Sequence, residues 1–388
     1  MNQAVFVLVD HQIDWSNLRP LTLTKPISKL RIGILTIEEK WNLLLQTKVK
    51  VKTNEAYLSS FNTFSENAEA TYINAAVIPT KELVSKILKL EDGDSLYSNG
   101  LLIASKKGNE TFETTIDYNG NDFIKINHTW DIFKENEKAI ALDFKHITEN
   151  RKSMNISTSN TILGDLSHIF LEEGAKVEAA ILNPNEGYIY IGKNAEIMEG
   201  SVVRGSLALC NNSTLKLATK IYGATTVGPH SKVGGEVNNS VIQAYSNKGH
   251  DGFLGNSVIG EWCNLGADTN NSNLKNNYGE VASWSYEKEE FVKTGMQFLG
   301  LIMGDHSKCG INTMFNTGTV VGVFTNIFGG DFPPKFIESY SWGGAKGFKT
   351  YRFNKAIEVA TAVMKRRNIE LQEEDKLVLE HLFKLIID

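Results

Sequence analysis

The sequence predicts an α/β, Rossmann-like N-terminal domain, followed by a left-handed parallel β-helix of hexapeptide repeats and by C-terminal helices. Three observations predict this fold class. An apolar residue recurs at every sixth position through the middle of the chain. Only five of the 32 glycines precede residue 151, and none follows Gly347. Before residue 150, strand-like and helix-like segments alternate, as in α/β domains.

The first 150 residues contain short segments with clear local signals. A threonine followed three residues later by a glutamate forms a capping box, which typically opens a helix. An Asn-Gly pair between apolar runs favours a hairpin turn. We predict strands at Val5–Val9 and Ile73–Ile78, helices from Thr36 to Gln46 and over Thr80–Lys89, a hairpin at Leu96–Ser105, and a helix at Trp130–Phe144.

The period of six is the strongest signal in the chain. It matches neither an α-helix nor a single strand, whereas a β-solenoid turn has three flat sides of six residues each. The apolar positions are Ile191, Ile197, Val203, Leu209, Leu215, Ile221, Val227 and Val233, and then Met303, Cys309, Phe315, Val321 and Ile327. Glycine often follows them, and we expect these glycines to supply positive φ at corners; they are Gly192, Gly228, Gly234, Gly304, Gly310 and Gly322.

The repeat begins weakly near Ile162, and two segments interrupt it, Glu236–Phe253 and Asp268–Leu301. Loops that project from a rigid scaffold are common places for a functional site. Phe332-Pro333-Pro334 should end the solenoid, because proline cannot donate to a ladder. We predict an irregular cap at 340–344, a helix capped by Asn354 that runs to Arg367, and a last helix from Glu373 to Ile387. The expected domains are therefore 1–150, 151–335 and 336–388.

Composition excludes several classes of protein. The net charge is −5 and the pI is about 6.0, and without a basic stripe we expect no nucleic-acid partner. No apolar run approaches about 18 residues, so we expect no membrane span, and from the pattern of the first residues we expect no secretion signal. The three cysteines, Cys210, Cys263 and Cys309, form no CxxC pair. An odd, scattered set favours buried thiols in a reduced cytoplasm.

His250 is the strongest catalytic candidate from the residues alone. It lies in the first interruption between Gly249 and Gly252, which would allow a ligand to approach closely. Histidine is the side chain most often used as a general base, although a surface-loop histidine remains an equal interpretation. His230, His250 and His306 do not form a close ligand pair, so we expect no metal site there.

Two other segments have open interpretations. Leu18–Gly33 carries four cations, among them Arg19 and Lys25, and two prolines. Such a loop beyond a strand end either binds phosphates or is a solvated face. Gly266–Asn273 is rich in asparagine, which could bind sugar hydroxyls but more often simply fills turns.

Asn247–Gly260 together with Asn264–Ala267 resembles the acetyltransferase signature of the GlmU-like enzymes, which are N-acetylglucosamine-1-phosphate uridyltransferases and glucosamine-1-phosphate acetyltransferases. The signature has a Gly-His pair, a Leu-Gly five residues on, then Ile-Gly. Leu18–Ile27, Arg31–Trp41 and Ser341–Gly344 resemble a variant branch of that family. The likeness covers nearly the whole chain.

The resemblance implies roles for individual residues. His250 would take a proton from the sugar amine that attacks acetyl-CoA, Asn273 would position the sugar or acetyl group, and the backbone at Ala267, Ile311 and Gly329 would meet acetyl-CoA. It also implies a homotrimer with sites between subunits. Phe253 stands where better-known members have tyrosine, and their lysine before the histidine lacks a clear counterpart. Lys248 or Lys220 is a candidate substitute for this substrate contact.

The N-terminal region departs further from the family pattern. A Gly-x-Gly-Thr-Arg-Met loop is replaced by Asp10–Asp14, and a Gly-Asp pair for Mg²⁺ by Asn74–Pro79. Arg19 and Lys25 remain as phosphate contacts. Three functions stay open: an acetyl-CoA-dependent N-acetyltransferase of an amino sugar phosphate such as glucosamine 1-phosphate; the same enzyme with Mg²⁺-dependent nucleotidyl transfer in UDP-N-acetylglucosamine synthesis; and a non-catalytic sensor or assembly subunit that binds a nucleotide sugar.

Overall fold

The computed structural model describes residues 4–64, 70–106, 114–120 and 123–387. These residues form two compact units. The first unit ends at His128, earlier than residue 150, where the glycine distribution puts the first domain boundary. Two segments that precede His128 in the sequence, Arg19–Leu23 and Arg31–Ile34, belong to the second unit, together with the chain from Thr129 onward.

The first unit is built on a six-stranded sheet. Its first three strands are parallel. The hairpin that follows adds antiparallel pairs, and the last strand is parallel to its neighbour in the hairpin. In spatial order the strands are Lys50–Lys52, Phe6–Val9, Thr71–Asn74, Leu101–Lys106, Asp94–Ser98 and Thr114–Asp117. The prediction of an α/β layer is confirmed.

The local signals of this unit have the expected structures, with small shifts. Thr36 and Glu39 form the predicted capping box at the start of the helix Ile37–Leu45. Thr80 caps the helix Lys81–Ile87. Asn99-Gly100 turns the hairpin between its two strands. The predicted strand at 73–78 is instead two strands, Thr71–Asn74 and Val77–Ile78; the second pairs with Ile124–Lys125. A short helix, Gln12–Asn17, follows the first strand.

The second unit is a left-handed parallel β-helix whose three faces are parallel ladders. Face 1 consists of Thr161–Ile162, Ile181–Asn183, Val202–Arg204, Lys220–Tyr222, Glu236–Asn238 and Phe253–Gly255. Face 2 consists of Ile169–Leu171, Ile189–Ile191, Leu207–Leu209, Thr225–Val227, Val241–Ile242, Val258–Ile259, Leu301–Met303, Thr319–Val321 and Phe336–Ile337. Face 3 consists of Lys176–Val177, Glu196–Ile197, Thr214–Leu215, Lys232–Val233, Asn247–Lys248, Asn264–Leu265, Lys308–Cys309, Asn326–Ile327 and Ser341–Gly344.

All thirteen apolar positions of the six-residue period are buried in one core that runs along the inside of this solenoid. Side chains that point inward from the three faces meet there, turn above turn, so each face needs one apolar residue per strand. The prediction of a hexapeptide β-helix is therefore confirmed.

The glycines after the apolar positions have a different cause from the one we predicted. None of the six adopts a positive φ. Instead, the backbone of the next turn lies against five of them: a Cβ at Gly228 would come within 1.2 Å of the carbonyl oxygen of Gln243, and one at Gly322 within 2.4 Å of the nitrogen of Ser339, whereas a Cβ at Gly310 would meet nothing closer than Cβ of Phe328 at 3.5 Å. The expectation of positive φ at these glycines was wrong; at five of them, close stacking of the turns excludes a side chain instead.

At one corner of the solenoid, a column of aromatic residues adopts positive φ instead. Their φ values lie between 53° and 60°, and their rings stack from turn to turn with centroids 4.2–6.2 Å apart. Left-handed backbone is costly for residues with a side chain, and stacking of large rings offsets that cost. The column is His230, Tyr245, Trp262, His306, Phe324 and Tyr340.

The two interruptions differ in kind. The first, 236–253, was expected to project as a loop, but its strands stay in the ladders, and Val233 pairs with Lys248. This turn has fewer residues than the turns before it, which breaks the period without leaving the solenoid. The second interruption leaves it after the strand Asn270–Asn271, which still pairs in parallel with Met314–Phe315. Beyond this strand, Ala282–Ser285 and Glu290–Lys293 form an antiparallel hairpin.

The C-terminal end departs from the predictions in two places. The ladders continue beyond Pro334 through Phe336–Ile337 and Ser341–Gly344, and Ser341–Gly344 forms a hairpin with Gly347–Thr350, so 340–344 is not an irregular cap. The next helix is Phe353–Lys365, with Arg352 rather than Asn354 at its N-cap. The last helix, Glu373–Ile387, has the predicted bounds.

Helices Asp131–Lys134 and Asn136–Thr148 precede the solenoid, in place of the single helix that we predicted at Trp130–Phe144. Over the described parts of the chain, no helix combines the length and apolar character that a membrane crossing requires.

Candidate functional site

His250 lies at a corner of the solenoid. The strand Asn247–Lys248 on face 3 precedes it, and Phe253–Gly255 on face 1 follows it. The turn between them needs Gly252, whose φ is +112° and whose Cβ would lie 2.2 Å from the carbonyl oxygen of Thr269. The histidine side chain is exposed. The short turn thus presents an imidazole at the outer edge of face 3.

An open cavity of about 570 Å³ lies beside His250 on face 3. It contains three of the residues predicted from the sequence: His250, Ala267 and Ile311. The rest of its lining is Lys216, Lys232, Tyr245, Asn247, Gly249, Asn264, Leu265, Gly266, Val363, Arg366 and Arg367. A cavity of this size suits a small-molecule ligand.

The cavity is strongly cationic. Lys216, Lys232, Arg366 and Arg367 line it, and its lining contains no aspartate or glutamate, although the whole chain is acidic overall. Arg367 donates to the Oδ1 of Asn247 over 3.4 Å. The pKa of His230, in the ring column nearby, is lowered first by burial and then by Arg367. Such a site attracts a ligand with several negative charges.

Sequence reasoning missed the two arginines. They follow the helix Phe353–Lys365, more than a hundred residues after His250, and no local pattern tells where that helix lies against the solenoid. Two adjacent arginines at a helix end were the only sequence feature that could have indicated an anion-binding role for them.

Lys248 does not line the cavity. Its side chain points into the solenoid, where it occupies the interior position between Val233 and Leu265 on face 3, and it is 2% exposed. Its Nζ donates to the carbonyl oxygens of Gly234, over 3.0 Å, and of His250, over 2.8 Å. Burial lowers the pKa of Lys248 to about 8.

Asn271 is a second polar residue at an interior position, between Leu254 and Phe315 in register. Its Oδ1 accepts from the Gly255 N–H over 2.9 Å, and its Nδ2 donates to the Gly255 carbonyl over 3.0 Å. The side-chain amide of Asn271 thus makes the hydrogen bonds to the Gly255 backbone that a neighbouring strand of the ladder would otherwise make. The turns around His250 therefore have polar residues inside as well as outside.

Phe253 and Asn273 meet on face 1, around the corner from the cavity. A Cβ at Gly255 would lie 2.5 Å from Cζ of Phe253 and 2.7 Å from Nδ2 of Asn273, so the glycine leaves room for both. Asn273 also donates to Oδ1 of Asn256 over 2.7 Å. Gly329, the last predicted acetyl-CoA contact, is exposed and lies outside the cavity lining.

A separate polar cluster lies in the first unit, where its parallel strands end. Asp10 follows Phe6–Val9, Thr53 follows Lys50–Lys52, and Asn74 ends Thr71–Asn74, so all three meet at one edge of the sheet. Such edges commonly bind ligands in α/β folds. Asp10 is 1% exposed, its Oδ1 accepts from the Ile27 N–H, and burial raises its pKa to about 7.

The carboxylate of Asp14, in this cluster, is already paired. Lys125 donates to its Oδ1 over 2.5 Å, and Asn74 donates to its Oδ2 over 3.3 Å. A lysine ammonium therefore already neutralises this carboxylate. No group of three or more His, Cys, Asp or Glu residues is arranged to hold a metal within the ranges that the structure covers. The residues here do not fit the Mg²⁺ that nucleotidyl transfer would use.

The two predicted phosphate contacts of the N-terminal region belong to different units. The guanidinium of Arg19 lies over the ring of Tyr286, 5.3 Å from its centroid, in the second unit. Lys25 is buried in the first unit. Their pairing at one phosphate stays a prediction.

Comparisons with known proteins give consistent matches. Residues 6–152 match the family described as sugar nucleotidyl transferase. The bifunctional sugar-1-phosphate nucleotidylyltransferase/acetyltransferase of Sulfurisphaera tokodaii is 29% identical over 147 residues, which are 37% of this chain and 36% of that protein. The bifunctional protein GlmU of Methanococcus aeolicus is 30% identical over 41% of this chain and 32% of its own length.

Two further matches are broader but weaker. The bifunctional protein GlmU of Wolbachia pipientis wMel is 23% identical over 65% of this chain and 59% of its own length. Among solved structures, the polySia specific acetyltransferase NeuO covers 50% of this chain and 82% of its own, with 13% identity and a TM-score of 0.28. The chain spans about a third of the length of the Sulfurisphaera and Methanococcus proteins.

Proposed function

We propose that the β-helix of this chain, whose sequence is similar to GlmU-like enzymes, transfers an acetyl group from acetyl-CoA to an amino sugar phosphate, with glucosamine 1-phosphate as the acceptor. One observation carries the proposal: His250 shares a cavity with four cations and no carboxylate. Acetyl-CoA and a sugar phosphate both carry phosphates, and lysine and arginine side chains bind phosphates by charge-assisted hydrogen bonds.

The proposed reaction needs a base and a place for a developing oxyanion. The His250 imidazole accepts a proton from the sugar amine as the amine nitrogen attacks the thioester carbonyl. The C–S bond then breaks, and the CoA thiolate takes the proton from the imidazolium. Backbone groups at Ala267 and Ile311, which line the same cavity, are our candidates for contacts to the acetyl-CoA and for stabilising the tetrahedral oxyanion.

We assign the remaining predicted residues to a site shared between subunits of a homotrimer. Phe253 and Asn273 lie on face 1, next to the His250 corner but outside the cavity. Cyclic assembly of three solenoids would bring one subunit's face against its neighbour's cavity. In this arrangement Asn273 and Phe253 contact the acceptor sugar, and Gly329 contacts acetyl-CoA.

A second candidate function, nucleotidyl transfer by the first unit, is favoured by the family match over residues 6–152. The Asp14–Lys125 pair weighs against a metal-dependent form of it. Pyrophosphate release from UTP and N-acetylglucosamine 1-phosphate, measured with and without Mg²⁺, tests this function. We place both reactions in the cytoplasm, in keeping with three buried cysteines that form no disulfide.

The decisive assay follows release of the CoA thiol from acetyl-CoA in the presence of glucosamine 1-phosphate. We expect release by the wild-type protein, and a loss of about 10²–10⁴-fold in the rate for His250→Ala, with the trimer intact by light scattering. Near-normal release by this variant would contradict the assignment of the base. No release by a well-folded wild-type protein, with tight binding of a nucleotide sugar, would instead support the sensor function.

A further inference from the structure

The interior of the solenoid contains one lysine where every other turn of the same face has an apolar or small residue. On face 3 the inward positions are Val177, Ile197, Leu215, Val233, Lys248, Leu265, Cys309, Ile327 and Gly343. A buried ammonium is costly, since it loses its hydration. Packing alone therefore does not explain why Lys248 is buried so near His250.

The contacts of the ammonium supply that reason. Nζ of Lys248 donates to the carbonyl of His250, within its own turn, and to the carbonyl of Gly234, in the turn before. The segment that it holds has glycine on both sides of His250 and Asp251, at Gly249 and Gly252. Glycine gives backbone its greatest freedom. The lysine thus fastens a flexible sequence to the rigid solenoid at the residue that presents the imidazole.

We propose that Lys248 is a positioning residue for acetyl transfer: from inside the solenoid, its ammonium fixes the backbone of His250 and thereby the place of the catalytic imidazole. This proposal rests on the function proposed for His250. It assigns Lys248 no contact with the substrate, in contrast to the direct contact for which Lys248 or Lys220 was a candidate from the sequence.

The protonation of Lys248 makes the role testable by pH. Burial lowers the pKa of Lys248 to about 8, while the carboxylates of Asp251 and Asp268, and Cys309 in its thiolate form, favour the charged form. Below that pH the ammonium donates charge-assisted hydrogen bonds; above it a neutral amine donates weaker ones. The hydrogen bond from Lys248 to the His250 carbonyl should therefore weaken as the pH rises through about 8.

The test compares Lys248→Met with the wild-type protein. We expect kcat to fall about tenfold at pH 7 while KM for acetyl-CoA changes less than about twofold, because positioning acts on the chemical step. The ratio of the two kcat values should shrink to about twofold at pH 9.5, where the wild-type ammonium is lost. Taking the ratio cancels the titration of the substrate amine, which is the same for both proteins.

Val233→Ala is the matched control. It removes side-chain volume from the adjacent interior position but leaves both hydrogen bonds of Lys248 in place. Its kcat ratio to wild type should stay constant between pH 7 and pH 9.5. A ratio for Lys248→Met that is equally constant, or a kcat equal to that of wild type at pH 7, would overturn the proposal.

Hydrogen exchange of the segment 249–252 provides a test that needs no activity. Exchange should be faster in Lys248→Met than in wild type at pH 7, and unchanged exchange would overturn the proposal. If this variant does not fold, the protection of this segment in wild type, relative to residues 203–215, should still fall between pH 7 and 9.5. Activity retained by His250→Ala would defeat the proposed function, whereas the exchange result would still report on the Lys248 contacts.

Discussion

The turns from Ile191 to Val233 and the turns from Glu236 to Asn271 are parts of the same solenoid, but they differ inside. In the first region, the regular turns, all inward positions of the six-residue period are apolar. In the second region, the site turns, the inward positions include Lys248 and Asn271. The side chains of these two residues bond to backbone within the site turns or beside them.

The difference separates residues that hold the fold from residues that shape the site. Regular turns are stabilised by burial of apolar side chains. This contribution is non-directional, so it does not depend on the exact backbone path as long as each turn stacks on the next. The site turns keep the same ladders with a shorter turn, and polar side chains supply the backbone bonds that the shorter path leaves open. The cationic cavity lies beside the site turns.

The largest effect should come from the core of the regular turns. Leu209→Ala removes a fully buried side chain from the interior of face 2 and should cost about 2–5 kcal/mol of unfolding free energy, measured by urea unfolding. Val202→Ala, on the outer side of face 1, should stay within about 0.5 kcal/mol. Equal effects of the two changes would mean that the interior column does not dominate stability.

A smaller effect should come from the interior of the site turns. Asn271→Leu restores the apolar pattern, yet it leaves the Gly255 N–H and carbonyl without their side-chain partners. We expect a loss of about 1–3 kcal/mol of stability, while Asn276→Leu, at an exposed position, should be near neutral. A gain in stability for Asn271→Leu would show that the fold tolerates this polar residue but does not need it for stability. It would contradict the difference that we describe between the regular turns and the site turns.

The smallest effect concerns binding. Arg366→Ala and Arg367→Ala should each weaken binding of CoA by about tenfold at low salt, since each removes one cation from the cavity. The loss should shrink as salt is added. Lys365→Ala, which removes the same charge from the adjacent exposed position, is the control, and calorimetric titration is the measurement. An equal loss for Lys365→Ala would indicate a diffuse field rather than a defined site.

The regular turns could be predicted from the sequence because each turn repeats the same requirement. Period, register and burial at Ile191–Val233 follow from six-residue spacing alone. The structure of the first interruption could not be predicted, because a shorter turn preserves the ladders but shifts the six-residue spacing. In this turn the inward position is occupied by Lys248, so the sequence has no apolar residue there that would identify it.

The site was only partly predictable. His250, Ala267 and Ile311 come from the sequence and share one cavity. Arg366 and Arg367 reach it from a distant helix, and such long-range contacts leave no local pattern. The glycines were assigned for the wrong reason, because close contact between turns, as at Gly228, depends on the neighbouring turn rather than on the residue's own φ.

The most direct measurement is hydrogen exchange of the wild-type protein with and without CoA. We expect new protection in the site turns, at 247–252 and 264–267, and after the helix Phe353–Lys365, at Arg366–Arg367, with no change in 203–215. Protection confined to the regular turns or to the first unit would contradict the claim that the site turns and their cationic cavity form the acyl-donor site.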